Sequence, residues 1–329
     1  MVKIITPLEN RENTITTRSY ARIGLIGNPS DDCNLSFDSI DHLVEISKNK
    51  GYDENYCLLQ ATCKVFLEYC LKNNIILNQR GFSIHFITNI PRQVGLAGSS
   101  AIISAFWKAL MFFFNISNKI IPLPIQANLI LSVENDELNI SAGLQDRVIQ
   151  VYGGLIYMNF DEDHMIKHGF GIYERLDVSL LPKGLWIAYE SNPSDSGKIH
   201  NDVRKRYEAG DRKTIDSMKR FASFAEQARQ ILINNNRSKR KELAKLMNKN
   251  FDLRREIFGD QFLGQMNLRM IELARECNFA AKFTGSGGAI LGLWNGDDDD
   301  DSKMLVNAEK LKSALEKEGF FFCWLNSKE

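Results

Sequence analysis

The sequence has no surplus of charge of either sign: 41 Lys and Arg stand against 41 Asp and Glu. No global field draws in nucleic acid or an anionic membrane, so specificity must come from local sites. There is no long hydrophobic run. The longest apolar stretch, residues 101–116, is interrupted by Lys108, and it is short of the ~20 residues of a membrane span, which predicts a buried helix. The N-terminal MVKIITPLENRENTIT lacks an apolar core followed by a small-residue cleavage site, so no signal peptide is read there. The six cysteines (Cys33, Cys57, Cys63, Cys70, Cys277 and Cys323) include no C-x-x-C pair. Reduced thiols in a cytoplasmic protein are the expectation. No repeat of fixed period is present. What remains is an average globular composition, 44% hydrophobic and 25% charged, over 329 residues, long enough for two domains.

Helical and strand patterns mix without strict alternation, which predicts an α+β protein of two domains, 1–180 and 181–329, with the boundary between Asp161 and Leu185. Strands are expected over residues 19–27, 81–89, 155–160, 184–190 and 320–325, with two short apolar runs inside 280–294. Helices are expected over 39–50, 54–74, 99–114, 125–138, from Gly143 to about 152, and 303–317, with a broken helical region between 198 and 259. The helix over 99–114 is apolar nearly all round and should be central.

Four segments can carry chemistry. The first is PRQVGLAGSSA, residues 91–101, joining a strand to that apolar helix. Its glycines let the backbone approach a ligand, and a helix N-terminus offers free N–H groups and positive potential, which together make a phosphate cradle. A Ser-capped helix start is the plainer alternative. No Lys follows the glycine, so this is not a Walker A loop. The second is the pair Glu134 and Asp146. Phosphoryl transfer needs a cation holder and a group that takes or orients the acceptor's proton; a solvated helix face and a first-turn acid are the alternatives. The third is TGSGG, residues 284–288, an anion nest or a tight turn. The fourth is an echo, NPSD at 28–31 and again at 192–195, the second copy followed by Ser196, Gly197 and Lys198. Both copies suit capped turns or a polyhydroxylated ligand. His164 and His168 mimic a metal site beside three acids but read as a polar loop. The acidic run 297–301 reads as a solvated loop, and Cys63 and Cys70 as core thiols.

Taken together, the segments resemble the GHMP kinase superfamily, whose three motifs are matched in order: RIGLIG at 22–27, the Pro-x-x-x-Gly-Leu-x-Gly-Ser-Ser-Ala pattern at 91–101, and residues 284–288. Within it the sequence is most similar to the glucuronokinase group, on RIGLIGNPSD, IPRQVGLAGSSAI, AGLQDRVIQVYGG, NPSDSGK and AAKFTGSGGA. The resemblance implies a ribosomal-protein-like N-terminal domain and a ferredoxin-like C-terminal domain with the site between them. ATP phosphates would contact Pro91, Gly95, Leu96, Ala97, Gly98, Ser99, Ser100 and Ala101, with Gly285 and Gly287 from the second domain. Ser100 and Glu134 match magnesium ligands, Asp146 the catalytic acid, and Arg22 the arginine that pairs with it. The sugar pocket would draw on Asp31, Ser196 and Lys198. The implied activity is transfer from ATP, with Mg2+, to D-glucuronate, giving the 1-phosphate. Another sugar acid such as galacturonate, or a GHMP-fold sugar and nucleotide sensor without turnover, stands beside it. The implied partners are ATP and a small sugar acid, with no nucleic acid and no membrane. The group also implies a strand pair after Asp31. Residues 32–37 are too short for it, so a neighbouring strand is expected to keep an open edge.

Overall fold

The computed structural model describes residues 2–5, 14–17, 33–88, 90–91, 94–190, 200–234, 238–297 and 300–325. By its contacts the chain divides into two units. Unit 1 comprises 1–91 and 97–174, and unit 2 comprises 92–96 and 175–329.

In unit 1 the strands β1 (Val2–Ile5), β2 (Thr14–Thr17) and β3 (Cys33–Phe37) are followed by helices α1 (Ile40–Lys50) and α2 (Cys57–Lys72), and then by strand β4 (Phe82–Phe86). The four strands form one antiparallel sheet in the order β2-β1-β4-β3. After Asp31, where the resemblance implied a strand pair, one strand is found, β3, matched residue for residue from Cys33↔Phe86 to Phe37↔Phe82, so β4 is flanked on both sides and β3 lies at the edge of the sheet. The unit continues with α3 (Gly98–Phe113), α4 (Leu123–Ser132), a π-helical turn (Val133–Glu137), α5 (Leu144–Tyr152), β5 (Leu155–Asn159), α6 (Glu162–His168) and β6 (Ile172–Leu176).

Helix ends follow local chemistry. The Ser39 hydroxyl accepts from the His42 N–H to start α1, which closes at Gly51 with φ +80°. Pro122 precedes α4 with its ring-fixed φ, and Asp161 caps α6. Apolar on almost every side, α3 buries Ile103, Phe106, Trp107 and Leu110 completely. The indole of Trp107 meets Phe66 of α2 edge-on at 5.1 Å, and Cys63 and Cys70 lie in the same core. Burial pushes the Cys70 thiol up to about 12, so it stays protonated and inert.

Unit 2 runs through β7 (Leu185–Glu190), α7 (His200–Glu208), α8 (Arg212–Ile233), α9 (Lys239–Phe258), the short α10 (Asp260–Leu263), α11 (Gln265–Glu276), β8 (Phe279–Phe283), β9 (Ala289–Trp294), α12 (Asp301–Lys317) and β10 (Phe320–Trp324). Its sheet is antiparallel in the order β10-β7-β9-β8. The core gathers Trp186, Phe251, Phe279 and Trp294 under α9, α11 and α12. The acidic run is more than a solvated loop. Buried Arg240 donates to the Asp301 carboxylate at 2.9 Å and to the Asp297 carbonyl at 2.9 Å, and the Asp300 side chain caps α12. Among the described residues, no helix is long and apolar enough to cross a membrane.

Candidate functional site

In unit 1 the site segments meet at the start of α3. Ala97 ends the incoming loop in the left-handed region, φ 57° and ψ 46°, a conformation that costs a non-glycine residue about 1–2 kcal/mol. Its carbonyl is held by three donors: the Ala101 N–H at 3.1 Å, the Ser100 hydroxyl at 3.1 Å and the Gln150 amide at 3.1 Å. Gln150 is in turn fixed on α5, where it accepts from the Ser104 hydroxyl, and its backbone carbonyl accepts from Lys108 at 2.6 Å. Burial lowers the pKa of Lys108 from its ordinary value.

The Ser99 hydroxyl donates to Glu134 Oε1 at 2.7 Å. The other oxygen of Glu134 takes an ion pair from Nη2 of Arg147, one helical turn into α5, whose Nη1 donates to the Gly143 carbonyl at 2.8 Å. Glu134 is 1% exposed and Arg147 3%. A lone buried carboxylate costs several kcal/mol, and the guanidinium offsets that cost. Asp146 is adjacent, its carboxylate 3.6 Å from Arg147 Nη1 and its side chain 25% exposed. The result is a charged cluster of two acids and one arginine, reached by one serine hydroxyl.

Of the two serines, Ser99 is the one that meets Glu134. Ser100, expected as the partner of Glu134, stands ~100° further round the helix. It is fully buried and its hydroxyl turns to Ala97. An oxygen set of one carboxylate and one hydroxyl still fits Mg2+, which takes one or two carboxylates and fills its octahedron with phosphate oxygens and water. Among the described residues no group of three or more His, Cys, Asp or Glu side chains is placed to hold a metal ion, and His164 and His168 simply stack at 4.4 Å on α6.

Glu134 lies in the π-helical turn. Leu138 N–H donates to the Val133 carbonyl five residues back, and Ile140 N–H donates to the Glu134 carbonyl. The side chain of Asn135 accepts from the Ala142 N–H at 2.8 Å. Glu137 Oε1 accepts from the Tyr52 hydroxyl at 2.5 Å and from Lys64 Nζ at 2.7 Å. Burial pushes the Glu137 carboxyl up, but the bonds from Lys64 and Tyr52 outweigh it and the net shift is downward. Burial and then the Glu137 bond raise the pKa of the Tyr52 phenol.

In unit 2 the first half of the 91–101 segment packs on the 284–288 loop. An added Cβ at Gly95, φ +69°, would lie 2.2 Å from the Gly287 carbonyl oxygen, and one at Gly288, φ +82°, would lie 2.9 Å from Val94 Cα. Only glycine permits backbones this close. The Thr284 hydroxyl lies 3.3 Å from the Gly95 carbonyl. Asn267 on α11 accepts the Gly288 N–H at 2.8 Å, and Arg254 on α9, lying over the Phe283 ring, donates to the Ser286 carbonyl. Gly285 and Gly287 sit within this loop. Leu96 and Val94 are buried.

Pro91, Gly98 and Ala101 stand where the motif places them, at the entry and first turn of α3. Arg22, Asp31, Ser196 and Lys198 lie outside the described residues. Sequence reasoning missed the commitment of Arg147 to Glu134, the role of Gln150, and the clamp of Asn267 and Arg254. For the α5 residues a signal was present: Gln150 stands four residues from Asp146 and three from Arg147, the spacings at which helix side chains are neighbours. For Asn267 and Arg254 there was none, since both come from helices remote in sequence.

The family model for the GHMP kinases N terminal domain matches residues 58–154. Over 310 residues, 84% of each chain, the sequence is 46% identical to glucuronokinase 1 of Arabidopsis thaliana. It is 46% identical over 308 residues to the probable glucuronokinase 2 of the same plant, covering 83% of this chain and 82% of the relative. Among solved structures, the Methanococcus jannaschii mevalonate kinase superposes with a TM-score of 0.58 at 20% identity, over 87% of this chain and 80% of that one, a likeness of fold alone.

Proposed function

The chain belongs to the GHMP kinase superfamily, in its glucuronokinase branch, and we propose that it moves the terminal phosphoryl group of ATP to the anomeric hydroxyl of D-glucuronate, giving D-glucuronate 1-phosphate and ADP. The anomeric oxygen forms the new bond to phosphorus as the bond to the β-phosphate oxygen breaks, and the hydroxyl proton passes to a carboxylate. The observation that carries this reading is the cluster of Ser99, Glu134, Arg147 and Asp146 at the first turn of α3.

Each part of that cluster has work in such a transfer. The free N–H groups of residues 98–100 and the positive end of α3 suit phosphate oxygens. Glu134 and the Ser99 hydroxyl would hold Mg2+, whose charge, when bound, neutralises the phosphates as they separate. Arg147 keeps Glu134 in place. Asp146, more open to solvent than Glu134, is the carboxylate that would orient or take the acceptor's proton. In unit 2, residues 94–96 and the 284–288 loop supply close-packed backbone that suits phosphate contact, while Arg147 is spent on Glu134 and does not meet the sugar carboxylate.

The test is Asp146→Asn. Turnover with glucuronate should fall by roughly 10²–10⁴-fold with the KM for ATP nearly unchanged. Turnover within a few-fold of the parent removes Asp146 from the reaction. The same assay over glucuronate, galacturonate and glucose sets the acceptor: equal kcat/KM for glucose and glucuronate overturns a site for the carboxylate.

A further inference from the structure

The proposed transfer makes no use of the three-group cluster of Tyr52, Lys64 and Glu137. Tyr52 lies in the loop before α2, Lys64 on α2, and Glu137 at the end of the π-helical turn. Two separate segments thus converge on one carboxylate oxygen of Glu137, through bonds of 2.5 and 2.7 Å. The paired Lys64 and Glu137 side chains are mostly buried, 22% and 18% exposed, so solvent screens this pair less than an open surface one.

The turn itself needs a cause. α4 runs in ordinary geometry to Ser132, and nothing in the chain between 133 and 137 is a glycine or a proline. A π-helical turn is rarer and less favourable than continued α-helix, and such turns concentrate at functional sites. In an unbroken α-helix, Glu134 and Glu137 would lie three residues and only ~60° apart, on one face. The wider turn separates them: Glu134 goes to Ser99 and Arg147, and Glu137 goes to Tyr52 and Lys64. Across the wider turn both acids meet their partners.

We propose that Glu137, gripped by Tyr52 and Lys64, is a positioning residue that holds the π-helical turn and so sets Glu134 against Ser99 and Arg147. The catalytic consequence rests on the reading of Glu134 given above; the structural one does not. The Asn135–Ala142 bonds tie the middle of the turn to the chain that follows it, whereas Glu137 ties its end to α2.

Two measurements on the ligand-free and the ATP-loaded full chain test this. Amide hydrogen exchange reads the turn directly through Leu138 N–H and Ile140 N–H, which close it. Glu137→Ala, which removes two charge-assisted bonds, should speed exchange at these two amides by roughly tenfold or more while the amides of α3 hold their rates. Glu137→Gln, which keeps an acceptor oxygen, should restore most of the protection. In turnover, Glu137→Ala should lower kcat by about tenfold and raise the Mg2+ concentration needed for half-maximal rate. Parent-like exchange at 138 and 140 in Glu137→Ala overturns the proposal, as does uniform acceleration across α3 and α5, which marks a merely stabilising contact. If Glu137→Ala does not fold, Tyr52→Phe and Lys64→Met carry the same test, and unchanged exchange in both overturns it. Glu134→Gln is run alongside. Parent-like turnover there sinks the reading of Glu134 and leaves the exchange result to decide the positioning role.

Discussion

Unit 1 carries a candidate cluster built from side chains, and unit 2 carries a loop packing built from backbone. At the start of α3 the determining contacts are a hydroxyl, two carboxylates and a guanidinium, with the Glu134–Arg147 pair buried and Ser99 and Asp146 open to water. In the 284–288 loop they are main-chain atoms of Gly95, Gly287, Gly288 and Val94, packed closer than any Cβ permits. The two designs fail in different ways. A buried ion pair tolerates small changes of shape but not the loss of one charge, because the survivor is stranded in low dielectric. A backbone contact between glycines has no charge to lose and no room to give.

The sharpest way to break the first design is Arg147→Ala. Glu134 would stay buried without its partner, a loss of about 3–5 kcal/mol. Denaturant unfolding should show it, and turnover should be lost with it. Removing both charges, as in Glu134→Gln with Arg147→Met, should recover much of the stability and none of the activity. A single Arg147→Ala variant as stable as the parent would mean that water reaches the pair and that the contrast with unit 2 is overdrawn.

The second design breaks by volume. In Gly95→Ala the new methyl would sit 2.2 Å from a carbonyl oxygen that cannot rotate away, at a φ of +69° that disfavours alanine. The strain in φ alone is of order 1–3 kcal/mol, so the 94–96 segment should lift from the 284–288 loop. Calorimetry with a non-hydrolysable ATP analogue should show weakened binding, and exchange at Gly288 N–H, held by Asn267, should rise. A variant that binds the analogue as tightly as the parent would remove this packing from nucleotide recognition.

The same contrast explains which parts of the molecule were legible in the sequence. The 91–101 and 284–288 motifs and the all-apolar α3 declare themselves, because each depends on residues close together in the chain. Much of the order of elements from α3 to β10 follows for the same reason, since periodicity, caps and glycine stops are local signals, but α6, where His164 and His168 read as a polar loop, and β6 did not show. Strand β3 did not show, since Cys33–Phe37 is a strand only by virtue of β4, some fifty residues later. The π-helical turn did not show either. Its cause, on the reading above, is Tyr52 and Lys64, and the pattern of 133–137 alone continues a helix. The bond from Arg147 to Glu134 did not show, because the two are thirteen residues apart and on different helical segments. The acidic run looked solvated because Arg240 approaches it from α9. Local chemistry is readable; the pairing of distant charges is a product of packing.

The smallest expected effect is the most discriminating, because its two parts have opposite signs. Gly98 opens α3 but is not required there by the fold. Its φ is outside the left-handed region, and a Cβ would meet only the Ile90 side chain, at 3.4 Å. Glycine in that setting weakens a helix relative to alanine. If its absent side chain serves the protein alone, nothing explains it; if it lets a phosphate approach the first turn, the cost in stability has a purpose. Gly98→Ala should therefore raise the unfolding free energy by roughly 0.4–1 kcal/mol while weakening ATP-analogue binding and raising the KM for ATP. Gly98→Val should abolish binding in a chain that still folds. A variant that gains stability and keeps full affinity would place the phosphates away from Gly98, and the cradle would then have to lie on the backbone of unit 2.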